Sequence, residues 1–378
     1  MHLDNNGTTF LLPEIREHLR ELLNEDIGNP ASLSAEGRRA NDIVETAREN
    51  LAGLLGCDAE QITFTSSGSE ANVAVIRSAL RTTGRTTVVV SAIEHSSLST
   101  LSEVLESEGV TVRTVRVSPN GVIDIEDLHD AVDENTAIVS VQMVNNETGV
   151  IQPYETAAQL AHRFGALYHS DAAQAVGKMH CVMSKTGADF LTLTAHKFHG
   201  PQGVGAIVAT SPSTAFSPLI PGGSQEQGRR GGTHNVLSIA GMGAAARLRA
   251  QSLEQSIKHM TTLRDTFERL LRQEIPELSV NGDPDRRVCN TSNLRFPGID
   301  GTALYLRLLA AGIACSQSSA CTAQIPEPSK VLRAMGLTPE QAFSSIRFSF
   351  SVMNSDDEIH RAVETISEHY RILRSFAA

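Results

Sequence analysis

Between about residues 60 and 210, short apolar and β-prone runs alternate with helical patterns: ITFTS, TVVVSAIEH, AIVSVQMVNN, GALYHSDA, DFLTLTAHK and GAIVAT. This alternation predicts a largely parallel sheet with helices over both faces. A long helical segment at about 240–272 leads into a second region, with strands in VCNTSNLRF and SSIRFSFS and helices of its own. That region reads as a smaller α+β domain. Its last helix is expected to begin at Ser355, with Glu358 completing a capping box, and to bury Ile359, Val363, Ile366 and Tyr370 at helical spacing. No internal repeat or low-complexity segment interrupts the pattern.

Polar residues collect where the apolar runs stop. Ser67-Gly68-Ser69, Glu94-His95, Asn145-Asn146-Glu147, Asp171 and His196-Lys197 all stand at carboxyl ends of expected strands, while the opposite ends are unremarkable. Open α/β sheets bind ligands outside the carboxyl ends of their strands, so these clusters are expected to converge on one cleft.

Lys197 directly follows an apolar strand, behind Thr194 and His196 and ahead of a glycine-rich turn. A lone lysine is ordinarily a solvated surface charge, so the neighbours must assign any chemistry. Pyridoxal 5'-phosphate (PLP) chemistry needs a lysine amine for a Schiff base, a carboxylate that keeps the pyridine nitrogen protonated, and donors for the phosphate. Asp171, in HSDAAQ at the end of the preceding strand, can supply the carboxylate; an aspartate in such a turn also commonly caps a helix. Ser67-Gly68-Ser69 opens a helix with apolar Val73, Ile76, Ala79 and Leu80, and the amides and dipole at its start suit a phosphate. A capping box from Ser67 to Glu70 is the plainer reading of that stretch taken alone. His95 offers a flat ring that can stack on a pyridine and move protons near neutral pH, or it is a hydrogen-bonded loop histidine.

Cys321 lies in SQSSACTAQIPEPSK, where serines, a threonine and two prolines describe an accessible loop in which a thiolate can attack. Cys57, Cys181, Cys289 and Cys315 adjoin apolar or structured segments and read as small buried hydrophobes.

The chain has 378 residues and a formal net charge of -11, with acidic and basic residues mixed and no basic run to track a phosphate backbone. No direct nucleic-acid partner is expected. Five cysteines without a CxxC pair argue against a disulfide framework or a zinc site, no metal is expected, and the cytoplasm is the expected compartment. MHLDNN lacks an apolar core behind positive charge, and no apolar run approaches the roughly 20 residues that span a bilayer, so no membrane association is expected.

In combination these residues resemble the cysteine desulfurase family of fold type I PLP enzymes, in the group with a long cysteine-bearing loop. The resemblance runs nearly end to end through LDNNGTT, NPASLSAEGRRA, FTSSGSEAN, IEHSSL, NNETGVIQP, HSDAAQAVGK, TLTAHKFHGP, GGSQEQGRRGGTHNV, SSACTAQIPEPSKVLRAMGL and SSIRFSF. It implies an α/β fold with a large PLP-binding domain over residues 16–254. Residues 1–15 and 255–378 would form the small α+β domain, with the cysteine loop at about 316–329. It further implies that Lys197 binds the cofactor, Asp171 pairs with the pyridine nitrogen, Gln174 bonds the ring hydroxyl and His95 stacks on the ring. Gly68, Ser69, Thr194 and His196 would hold the phosphate, with Thr233 reaching in from the second subunit of a homodimer. Asn146, which also belongs to the cofactor site, and Arg347 would orient the substrate, and a guanidinium suits an amino-acid carboxylate because it offers two parallel hydrogen bonds.

The implied reaction converts L-cysteine to L-alanine. Lys197 acts as base, His95 moves protons, and Cys321 keeps the sulfur as a persulfide for an acceptor protein, such as an iron–sulfur scaffold or a thiolation protein. A selenocysteine lyase, an aminotransferase, a sulfide-releasing cysteine lyase and a non-enzymatic scaffold for sulfur carriers stay open. The chain departs from the family pattern at Gly7, where alanine is usual, at Ser34 for a frequent histidine, and at Ser318 and Ser351, each for a glycine.

Overall fold

The structure is a computed structural model that describes residues 1–317 and 327–377. Its larger sheet has seven strands: β1 (Ile62–Thr65), β2 (Thr87–Ser91), β3 (Thr111–Val115), β4 (Thr136–Ser140), β5 (Leu167–Asp171), β6 (Phe190–Thr194) and β7 (Gly205–Ala209). They lie in the order β1-β7-β6-β5-β4-β2-β3. All are parallel except β7, which runs antiparallel to both β1 and β6. Val89, Val139, Leu191 and Val208 face one core, and Val88, Val90, Ile138, Phe190 and Ile207 face another. Burial on both faces is why these strands read as continuous apolar runs instead of alternating ones.

The edge strand β3 escaped the sequence reading. Its residues TVRTV are mostly exposed or half-buried, so the apolar run that marked its neighbours is missing.

A second, antiparallel sheet contains β8 (Ser279–Val280), β9 (Thr291–Arg295) and β10 (Ser345–Ser349), in the order β10-β9-β8. Phe267, Phe296, Phe348 and Phe350 fill its core with Leu294, Ile346, Ile359 and Ile366. Helix Val236–Glu274 serves both regions: Ile239 to Met260 join the first core, and Leu263, Phe267 and Leu271 join that of the small sheet. The final helix, Asp356–Ala377, is capped as its sequence indicates. Ser355 Oγ accepts from Glu358 N, Glu358 Oε2 accepts from Ser355 N, and Ile359, Val363, Ile366 and Tyr370 are buried.

The N-terminal segment stitches the two sheets together. Leu3 N donates to Ala314 O, and Ser349 N to Leu3 O, so residues 2–4 run beside the end of β10. Thr9 N then donates to His196 O, just past β6. Asn5, Asn6 and Gly7 are thereby delivered to the carboxyl edge of the larger sheet. Two departures from the family pattern have local partners: Ser34 caps helix Ala35–Leu55 by accepting from Gly37 N, and Ser351 N donates to Asn354 Oδ1. Ser318 and Cys321 lie outside the described residues. Among the described residues no helix is long and apolar enough to cross a membrane.

Candidate active site

β1 ends at Thr65, and Ser67 starts helix Gly68–Thr83 by accepting from Glu70 N at 3.1 Å. The reciprocal half of the box is shifted by one residue, because Glu70 Oε2 accepts from Ser66 N at 2.8 Å. Capping satisfies Glu70 N only. The Gly68 and Ser69 amides still lack intrahelical acceptors, so the cap and the anion site coexist on one turn. Close packing holds the turn in place. A Cβ on Gly205 would lie 2.5 Å from Ser67 C and 2.8 Å from Gly68 N, so only glycine lets β7 pass there. Thr194 lies against Gly68, and its hydroxyl donates to Val204 O. His196 Nδ1 is 3.1 Å from Thr8 Oγ1; burial above all, then Lys197, pushes the ring down to about 4, which leaves it neutral at pH 7.

Lys197 follows β6 on a short 3-10 turn, and its Nζ donates to Asn6 O and Gly7 O, both at 2.7 Å. Asn6 is the hub of this region. Its carbonyl also accepts from Gln174 Nε2 at 3.0 Å, and its Oδ1 from Lys178 Nζ and Asn290 Nδ2, each at 3.1 Å. Asn6 Nδ2 donates to Asn146 O and to Thr291 Oγ1. Arg347, on β10, donates to the same Asn146 O at 3.0 Å and pairs with Asp4 at 2.6 Å, while its Nε is buried without a partner among the described residues. Gly7 makes room for that pair, since a Cβ there would lie 2.5 Å from Asp4 Oδ2.

Asp171 closes β5 beside β6, and its carboxylate is anchored from two sides. Ala173 N donates to Oδ1 at 2.9 Å, and Asn72 Nδ2 to Oδ2 at 2.8 Å. Asn72 is itself aimed by Thr192, whose hydroxyl donates to Asn72 Oδ1; Thr192 Oγ1 is 3.0 Å from His169 Nε2, and His169 Nδ1 is 2.8 Å from Ser140 Oγ. Burial pushes His169 down to about 4, so a neutral, fully buried ring completes the chain. Asn72 also donates to Ser97 Oγ, which meets His95 Nδ1 at 2.9 Å. Ser97 N donates to that same Nδ1, so the proton of a neutral His95 sits on Nε2. Burial lowers the His95 pKa, Asp171 opposes the shift and Lys197 reinforces it. Next to it, burial pushes the Glu94 carboxyl up to about 8, against the hydrogen bonds from Ser91 and Gln142 N.

The chain matches the family described as Aminotransferase class-V over residues 1–362. It is 40% identical over 378 residues to the cysteine desulfurase of Trichormus azollae, covering all of this chain and 94% of that one. It is 39% identical over 368 residues to the cysteine desulfurase NifS of Azotobacter vinelandii, covering 97% and 91%. A solved NifS-like protein superposes with a TM-score of 0.92 at 32% identity, covering 99% of this chain and all of that one. The chain belongs to the class-V aminotransferase family. As such it is a PLP enzyme with the expected fold, a mostly parallel sheet between helices.

The residues present fit that cofactor. A helix start with available amides, a lysine amine and an anchored carboxylate share the carboxyl edge, matching a phosphate, an aldehyde and a pyridinium nitrogen in turn. Thr233 lies next to the end of β1 within its own chain. It is exposed at a surface pocket with Thr65, Ser66, Arg230 and His234. The four described cysteines are poor nucleophiles: burial pushes Cys57, Cys181 and Cys315 up to about 12 and Cys289 to about 11. Sequence reasoning assigned no role to Asn6, Asn72, Lys178 or Asp4, although LDNNGTT, GSEAN and HSDAAQAVGK contain them. An amide or a lysine in such a run carries no mark of burial until its partners are in place.

Proposed function

We infer that this class-V enzyme is a PLP-dependent cysteine desulfurase, converting L-cysteine to L-alanine and passing the sulfur to an acceptor. The reading is carried by the convergence of Lys197, Asp171 and His95, from the ends of three different strands, beside the Gly68–Ser69 helix start. The relatives named cysteine desulfurase, at about 40% identity over the whole chain, support it.

Lys197 would hold the cofactor covalently, with Asp171 on the pyridine nitrogen, Gln174 on the ring hydroxyl and His95 against the ring. Gly68, Ser69, Thr194 and His196 would take the phosphate. Bound there, PLP supplies an electron-withdrawing ring that makes the substrate's Cα proton acidic. Arg347 and Asn146 would orient the substrate carboxylate, and the Lys197 amine would take the Cα proton. His95, with its Nδ1 satisfied by Ser97, carries protons at Nε2. Cys321 attacks the substrate sulfur as a thiolate; the C–S bond breaks, its electron pair stays with carbon, and the persulfide remains on Cys321. A second copy of the chain completes the phosphate site through the exposed Thr233, and the acceptor is a cytoplasmic iron–sulfur scaffold or thiolation protein.

Cys321→Ser tests the sulfur transfer. A hydroxyl stays protonated at neutral pH and its hard oxygen attacks sulfur poorly. Mass spectrometry of the peptide around residue 321 after one turnover is expected to show one added sulfur in the wild type and none in the variant, which retains PLP but forms no alanine. Normal alanine formation by the variant would sink the persulfide mechanism.

A further inference from the structure

Lys178 is fully buried and has no part in the roles assigned above. Its Nζ donates to Asn6 Oδ1 and to Gln174 Oε1. Among the described residues, the titratable groups acting on it are Lys197, the Cys289 thiol and Arg347, with no carboxylate. An ammonium buried without an anion is costly, so such a site favours a negative group brought by a ligand. Hydrogen-bond direction shows what lies ahead of it. Because Gln174 presents its carbonyl to Lys178, its amide nitrogen is the end that reaches Asn6 O, the oxygen to which Lys197 Nζ also donates. Lys178, Gln174, Asn6 and Lys197 thus form one unbroken chain with a lysine at each end.

We propose that Lys178 is a positioning residue of the cofactor site, holding the Gln174 amide nitrogen toward Lys197 and setting a second positive charge near the Lys197 amine. The inference rests on Lys197 as the cofactor lysine. Held this way, the Gln174 N–H suits an anionic ring oxygen, and the Lys178 charge is matched by that anion once the cofactor is bound. The two amines also repel each other. Burial first and Lys197 second push the Lys178 ammonium down to about 7, and the repulsion is reciprocal, so a charged Lys178 makes Lys197 harder to protonate. Among the described residues, His196, His199, Arg347 and Cys289 face Lys178, and His95 and Asp171 act on the site from the other strands. Burial pushes His196 and His199 down to about 4 and Arg347 is paired with Asp4, so Lys197 is the main charge acting on Lys178. A less basic Lys197 is better matched to taking and returning a proton near neutral pH.

The test follows the visible absorption of the substrate-free holoenzyme against pH in wild type, Lys178→Gln and Lys178→Met. Both variants lose the charge, and only glutamine keeps a donor for the Gln174 carbonyl. The expected result is that the titration midpoint rises by about one pH unit or more in both, a tenfold tighter hold on the proton. Lys178→Met is also expected to lose cofactor faster on dialysis than Lys178→Gln. A lysine that merely filled space would change thermal stability and leave the midpoint alone, so unmoved midpoints in two folded, loaded variants overturn the proposal. If either variant fails to load, competitive acetylation of Lys197 in the cofactor-free protein replaces the spectrum, with the same upward shift expected and its absence equally decisive. Borohydride reduction of the wild type that attached PLP elsewhere than Lys197 would instead overturn the assignment on which the proposal rests.

Discussion

Behind the three-stranded sheet, Phe267 packs its ring 4.9 Å from Phe348 and 5.3 Å from Phe350, and Phe296 lies against Phe348 and Tyr370. At the carboxyl edge of the seven-stranded sheet, the buried side chains include Asn6, Asn72, Lys178, His169 and Thr192, each tied to a named partner. The first arrangement is non-directional and loses stability in proportion to the apolar surface and packing removed. The second is directional: its donors are aimed at specific acceptors, so a single change leaves a buried polar group unsatisfied. One region therefore supports the fold, and the other spends stability on orientation.

The sharpest break between them is expected at Lys197. Lys197→Ala should abolish cofactor attachment and cut alanine formation at least about a thousandfold, with little change in melting temperature. Borohydride reduction followed by peptide mapping reads the first effect and calorimetry the second. Wild-type turnover by this variant would erase the distinction between the two regions.

Phe267→Ala is the converse. Removing the ring that joins Phe348 to Phe350 is expected to cost about 3–5 kcal/mol in denaturant unfolding, while turnover per folded molecule changes little. Phe267→Leu should cost far less.

Asn72→Ala mixes the two behaviours. It removes the donor to Asp171 and the acceptor for Thr192, so a loss of about 1–3 kcal/mol in stability is expected together with an about tenfold to hundredfold fall in turnover. A variant that lost stability but kept full turnover would show that Asp171 needs no help in holding its carboxylate.

Per unit of pH, the most gradual effect is a titration. Burial holds His169 at about 4 in the fold against an ordinary 6.5, so between those values the unfolded chain binds more protons. His196 and His199 are depressed in the same direction. Their contribution is complete above about pH 6.5 and is lost as pH falls toward 4, at no more than about 1.4 kcal/mol per pH unit for His169. Chemical unfolding at a series of pH values should show that slope unchanged in Phe267→Ala and flattened in His169→Gln.

Much of this protein was legible as a string. Apolar runs marked six of the seven strands of the larger sheet, helical spacing placed Ile359, Val363, Ile366 and Tyr370 inside, and the polar clusters behind the runs pointed to one cleft. These features depend on period and local chemistry, which neighbours in sequence carry. β3 was missed because an exposed edge strand needs no apolar run.

What the sequence alone determined was the architecture and the set of reactive groups at its carboxyl edge. Lys197, Asp171, His95 and the Gly68–Ser69 turn each carry a local signature, namely a strand end, a turn or a helix start. Only the tertiary structure decided how those groups are held. Asn6 meets Lys178 from 172 positions away and Thr291 from 285, and Asn72 meets Asp171 from 99. An amide looks the same in a sequence whether it is solvated or buried, and its orientation exists only when distant donors and acceptors close around it.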